Sequence, residues 1–252
     1  MKIIHDNDIK TITLLDERYY QSPVTKNWYP SNTTVLDVYP KGFGFTQWLK
    51  DLGHNADEVL KRAGEQGTRI HDAIESFLLG GELKWIEPND EAKFSLDEWV
   101  MILKFVEFYK AYKPETIAVE TALVSDELGF GTRLDYVCRI EGEIWYLDFK
   151  SGAGIYKSNK IQAVACQKAW NEQSKDKITR VGLFHLKAQT RGADKSGQTM
   201  QGEGWKVDEV VPDEQDKMWR LFEHTLAIWK EENPNPKPKN MVYPDRVKID
   251  IV

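Results

Sequence analysis

The chain has 252 residues, 41% hydrophobic and 29% charged, with nine tryptophans and a net charge of -6. This composition suits a folded chain of one large or two small domains and excludes a disordered one. The acidic balance excludes a protein that coats DNA non-specifically, but not one that acts at a metal site, where cations reverse the local sign.

Apolar runs never reach the ~18 residues of a membrane span. The N-terminal MKIIHDNDIK has no apolar signal stretch. The cysteines are Cys138 and Cys166 only, too few for a disulfide framework, a four-cysteine zinc site or an iron–sulfur cluster. The expectation is a cytoplasmic protein without membrane contact.

Residues 1–40 are rich in turn formers and aromatics and read as an irregular arm. A short helix is predicted over Phe45–Leu52, ended by Gly53. A second, with Asn55 as its cap, runs from Ala56 to Leu79 and stops at Gly80–Gly81. Gly64 and Gly67 inside it each cost about 1 kcal/mol relative to alanine, which implies a close approach that needs them. Glu91–Tyr112 shows apolar residues at three- and four-residue spacing, closed by Pro114. Strands follow at Ile117–Val124, Thr132–Ile140 and Glu143–Lys150. Then come a helix over Asn159–Glu172, a strand over Arg180–Leu186, a mobile loop over Lys187–Gly204, a strand at Trp205–Val210 and a helix at Asp213–Trp229. The tail, residues 232–252, is Pro-rich and extended. Residues 41–186 form the core, and the whole reads as one α/β domain, a central mixed sheet flanked by helices.

The stretch Gly131–Lys150, GTRLDYVCRIEGEIWYLDFK, carries the chemistry. A two-residue turn at Glu141–Gly142 sets Asp135 opposite Asp148 and Arg133 opposite Lys150. Alternation puts Leu134, Tyr136, Cys138, Ile140, Trp145, Leu147 and Phe149 on one face, and Arg133, Asp135, Tyr146, Asp148 and Lys150 on the other. Opposed carboxylates repel, and a Mg²⁺ or Mn²⁺ ion between them removes the penalty. With a lysine beside the metal, the set suits phosphodiester hydrolysis. The alternative is a half-buried hairpin whose charged face meets water. Glu120 lies between apolar neighbours on the preceding strand. It is either a site acid or a strand-edge glutamate facing solvent.

The acid on one strand followed by Asp148-Phe149-Lys150 on the next resembles the core of the PD-(D/E)XK nuclease superfamily. Leu134 stands at the proline position. Gly67-Thr68-Arg69-Ile70-His71 resembles the G-x-x-x-H helix motif of its RecB-like exonuclease branch, found in phages and recombination enzymes. Phe43–Lys50 resembles that branch's N-terminal helix. Gln162 matches the branch's Q-x-x-x-Y, with Cys166 in place of the tyrosine. The resemblance implies a restriction-endonuclease-like fold without an iron–sulfur cluster. It implies a metal held by His71, Glu120, Asp135, Asp148 and the Phe149 carbonyl, with Lys150 assisting the attacking water and Gln162 at the site. It also implies a phage or prophage DNA exonuclease of recombination, repair or replication, acting on single strands or duplex ends.

His71 has an alternative reading, a helix histidine satisfied by Glu75. Cys166 reads as core. Arg69, Arg133, Tyr156, Lys157 and Lys160 are candidate nucleic-acid contacts, or ordinary surface. Two rival functions remain: a catalytically inactive nucleic-acid-binding module of the same fold, and an interaction protein without nucleic acid.

Overall fold

A computed structural model describes residues 3–5, 9–190, 192–193, 199–200, 203–244 and 246–248. Among these, the elements in chain order are β1 (Ile4–His5), β2 (Thr11–Leu14), β3 (Glu17–Gln21), β4 (Trp28–Pro30), α1 (Asn32–Leu36), α2 (Gly42–Leu52), α3 (Ala56–Leu78), α4 (Leu96–Tyr112), β5 (Glu115–Ser125), β6 (Phe130–Ile140), β7 (Glu143–Lys150), α5 (Lys157–Gln173), β8 (Arg180–His185), β9 (Gly192–Ala193), β10 (Thr199–Met200), β11 (Val207–Val210) and α6 (Pro212–Glu232). No described helix is long and apolar enough to cross a membrane.

The main sheet has six strands in the order β1-β5-β6-β7-β8-β11. β5, β6 and β7 are antiparallel neighbours, and β7 and β8 run parallel. That makes a mixed α/β sheet, as the element pattern predicts. One face packs through Val137, Ile144 and Tyr146 against Ile161, Val164 and Ala165 of α5 and Phe222 of α6. The other packs through Tyr136, Cys138, Leu147 and Phe149 against Ile70 and Ile74 of α3 and Ile102 and Phe105 of α4. Both faces of the β6–β7 hairpin are therefore covered, which removes the water-facing alternative.

Of the expected arm over residues 1–40, residues 1–2 and 6–8 lie outside the described residues, and much of the rest is regular structure. β2, β3 and β4 form a three-stranded antiparallel sheet, and the adjacent β3 residues Tyr19 and Tyr20 are buried in two different cores. The β2–β3 turn uses Leu15 and Asp16 at φ 50° and 64°. Two left-handed residues suit a hairpin's twist, but leucine is not a residue that announces one.

α3 starts at Ala56 as expected but without its cap, whereas α2 starts at Gly42 rather than Phe45 and α4 later than expected. Asn55 makes no side-chain cap, because a short 3-10 turn over Gly53–Asn55 runs directly into α3. α4 begins at Leu96 rather than Glu91, fixed by a capping box. The Ser95 hydroxyl takes the Glu98 N–H, and the Glu98 carboxylate takes the Ser95 N–H at 2.8 Å. Of the two helical glycines, only Gly67 has a neighbour, since a β-carbon there would lie 3.3 Å from the Ser151 hydroxyl. Gly64 faces open space. In the expected mobile loop, β9 and β10 pair antiparallel, while residues 191, 194–198 and 201–202 lie outside the described residues. The tail contains a 3-10 turn at Lys239–Met241, and residues 245 and 249–252 of it are likewise outside.

Candidate metal centre

The β6–β7 register is the one the sequence predicts, from Ile140↔Glu143 at the turn to Tyr136↔Leu147. There the ladder ends, just before Asp135 and Asp148. Asp135 accepts the backbone N–H of Phe149 on Oδ2 at 2.8 Å, so a side chain takes over where strand pairing stops.

Side-chain alternation breaks at the same level on two strands. On β5 the pairs Val119↔Tyr136 and Thr121↔Leu134 flank Glu120 and Asp135. Glu120 has φ 42°, a left-handed conformation rare for a non-glycine residue. Val119 and Tyr136 belong to the core beneath α3, whereas Leu123 and Leu134 belong to the core beneath α5. Leu134 is thus on the face opposite to the one strict alternation gives it. This break lets Glu120 and Asp135 turn toward α3, as their neighbours Val119 and Tyr136 do.

α3 brings His71 to meet them. Its Nδ1 lies 3.5 Å from Glu120 Oε1 and 3.8 Å from Asp135 Oδ2, and its Nε2 lies 3.3 Å from the Phe149 carbonyl. Glu75, the partner in the alternative reading of His71, instead pairs with His5 at 2.6 Å. Burial alone would depress the His71 imidazole, but Asp135 and Glu120 push it up to about 9. Burial pushes the Asp135 carboxyl up, partly opposed by His71. The close approach of α3 to the end of β7, which Gly67 permits beside Ser151, is what delivers the imidazole.

Asp148 lies on the other side of this fork. It is fully buried. Its Oδ1 accepts the Tyr146 hydroxyl at 3.0 Å, and its Oδ2 lies 2.7 Å from Lys150 Nζ. This buried ion pair is the ammonium's shortest contact. Lys150 also donates to Gln162 Oε1 on α5 at 3.2 Å. Burial alone would lower the lysine, but Asp148 and Asp135 more than offset it, so Lys150 is charged.

Among the described residues, His71, Glu120 and Asp135 form a set whose ligand atoms all lie within 4.8 Å of one another. Its donors are one imidazole nitrogen and two carboxylate oxygens, which suit a divalent cation of the Mg²⁺ or Mn²⁺ kind. With Nδ1 toward the acids, the Phe149 carbonyl takes the other ring nitrogen, the arrangement by which a backbone oxygen fixes a ligating histidine. Asp148 is outside this set, with its Oδ2 paired to Lys150.

The candidate nucleic-acid contacts are scattered in state. Arg69 is held by Glu98, at 2.6 Å through its terminal nitrogen. Arg133 donates to the Glu120 carbonyl at 2.9 Å, and Lys160 pairs with Glu214 at 2.8 Å. Tyr156 and Lys157, at the start of α5, are exposed.

Two features escape a reading by motif. Tyr146 holds Asp148, and the only signal was its place two residues away on the same face. Cys166 is fully buried, 3.0 Å from the Thr132 hydroxyl and 3.3 Å from the Asn32 amide. Burial pushes its thiol up to about 12, so it is a neutral packing group behind Tyr146 rather than a nucleophile.

Compared with known families and curated proteins, the chain matches no family model and no curated sequence.

Proposed function

We propose that this protein is a divalent-metal-dependent deoxyribonuclease of restriction-endonuclease-like fold, with its centre at the β6–β7 fork. The observation that carries the reading is the convergence of His71, Glu120 and Asp135 beside the Asp148–Lys150 pair. The succession of α3 and α4, an antiparallel β5-β6-β7 unit, then α5 and the parallel strand β8 supports the same fold.

A bound Mg²⁺ or Mn²⁺ supplies a coordinated water of lowered pKa and neutralises charge on the phosphate. His71, Glu120 and Asp135 would hold it, with the imidazole oriented by the Phe149 carbonyl. Lys150 would donate to the attacking water or to a phosphate oxygen. Gln162 and Asp148 fix where that ammonium sits, and Tyr146 fixes Asp148. DNA processed from an end, in a phage or prophage setting of recombination, repair or replication, is the substrate this reading favours.

The test is degradation of end-labelled single- and double-stranded DNA with Mg²⁺ or Mn²⁺. Wild type should cleave only with metal, and Lys150→Ala and Asp148→Ala should abolish cleavage. Folded, metal-loaded wild type that cuts no substrate, yet binds DNA, would turn the reading to an inactive binding module.

A further inference from the structure

A second basic feature lies away from the metal centre. Between the β3–β4 hairpin and the C-terminal segment runs a groove of about 410 Å³, walled by Lys26, Trp28, Tyr29, Lys237 and Met241. In a chain of net charge -6, its lining holds two lysines and no carboxylate. A third lysine, Lys10, holds its ammonium 5.6 Å from the Trp28 ring centre. Two acids of the same region are engaged: Glu17 pairs with Lys239 at 3.0 Å, and Asp126 accepts the hydroxyls of Ser22 and Thr25 at 2.7 and 2.6 Å. The Lys26 ammonium donates to the Pro23 carbonyl at 2.8 Å.

We propose that this groove binds single-stranded DNA, with Trp28 as a stacking platform and Lys10, Lys26 and Lys237 as phosphate contacts. Aromatic faces interleaved with cations are what a strand with unpaired bases requires, because every base has a π-face and every link a charge. A folded duplex would not bring its bases to Trp28. The strand that walls the groove is tied to the one that carries Asp135. Ser31, directly after β4, bridges Gly131 of β6, which precedes Asp135 by roughly 13 Å of strand. The proposal deepens the nuclease reading by giving the substrate, or its product strand, a second hold.

The test is binding of a fluorescent oligothymidylate of about 20 nucleotides to the full chain in EDTA, where the metal centre takes no part. Lys26→Glu with Lys237→Glu should weaken binding on the order of tenfold or more. It should also lower the salt slope by about 1.4, each neutralised phosphate of a single strand contributing about 0.7. Trp28→Leu, which keeps an apolar side chain, should weaken binding on the order of tenfold. Thermal melting of each variant checks that it is folded, and the charge reversals are surface changes that test the groove even if Trp28→Leu fails to fold. Equal affinity in folded variants and wild type overturns the groove, as does equally tight binding of polyglutamate. Cleavage by wild type with groove-independent binding overturns the groove alone. Groove-dependent binding without cleavage in any metal overturns the nuclease reading alone.

Discussion

The Oδ2 of Asp135 accepts the backbone N–H of Phe149 at 2.8 Å, at the point where the ladder between their strands stops. One carboxylate therefore has two tasks, closing the fork and facing His71. The tasks separate in Asp135→Asn, which keeps an acceptor for the N–H but loses the charge. This variant should melt within a few degrees of wild type. Its Mn²⁺ affinity by calorimetry should fall on the order of a hundredfold or more, beyond the 10- to 100-fold typical of an outer-shell change. Unchanged Mn²⁺ affinity would remove Asp135 from the metal set.

Tyr146 is a neutral donor buried beside a carboxylate. Burial and the neighbouring Asp148 keep its phenol far above its ordinary range, so it donates at every working pH. Tyr146→Phe leaves Asp148 Oδ1 without that donor, a loss of about 1–3 kcal/mol. Chemical unfolding should show that loss. In a DNA cleavage assay kcat should drop with little change in KM, because Asp148 then holds Lys150 less well. A variant as active and as stable as wild type would reduce Tyr146 to packing.

The legible parts of this site are those on regular elements. Asp148 and Lys150 could be placed because β7 is an uninterrupted strand after a tight turn whose residues, Glu141 and Gly142, both have positive φ, and glycine there is a recognisable signal. His71 is placed through the resemblance of Gly67–His71 to a G-x-x-x-H helix motif, and the pattern of α3 alone leaves Glu75 as an equal partner. The break in alternation could not be placed. Glu120 adopts a left-handed backbone with no residue-level mark, so strict alternation set Asp135 beside Asp148 rather than beside His71. The β2–β3 hairpin was hidden for the same reason, its turn being Leu15–Asp16. The start of α4 was legible in principle, as Ser95-x-x-Glu98 is a capping signature. Phe94, counted with the apolar repeat that continues at Trp99, masked the boundary.

The two glycines of α3 make opposite predictions. Gly64 faces open space, so Gly64→Ala recovers the helical propensity of alanine, about 1 kcal/mol. The melting midpoint should rise by roughly 2–4 °C, as expected for a chain of this size. At Gly67 an added methyl meets the Ser151 hydroxyl at 3.3 Å, next to Lys150. Gly67→Ala should gain less stability or none, and should lower cleavage by displacing α3 from the end of β7. Equal gains at both positions, with activity retained, would show that the contact between α3 and Ser151 yields freely.

Glu98 sets the response of α4 to acid. Burial alone would raise its carboxyl, but the Ser95 N–H and the Arg69 guanidinium hold it below the usual carboxylate range. A depressed folded pKa means the unfolded chain binds the proton more readily. The stabilisation is therefore complete above the unfolded glutamate value, about 4.3, and is lost as pH falls below it through the folded value. Glu98→Gln keeps the capping geometry and removes only the charge, at a cost of about 1 kcal/mol at neutral pH. Melting curves of wild type and variant should differ most near pH 7 and converge as pH drops toward 3. A difference that stays constant across that range would mean that the Arg69–Glu98 pair contributes through shape rather than charge.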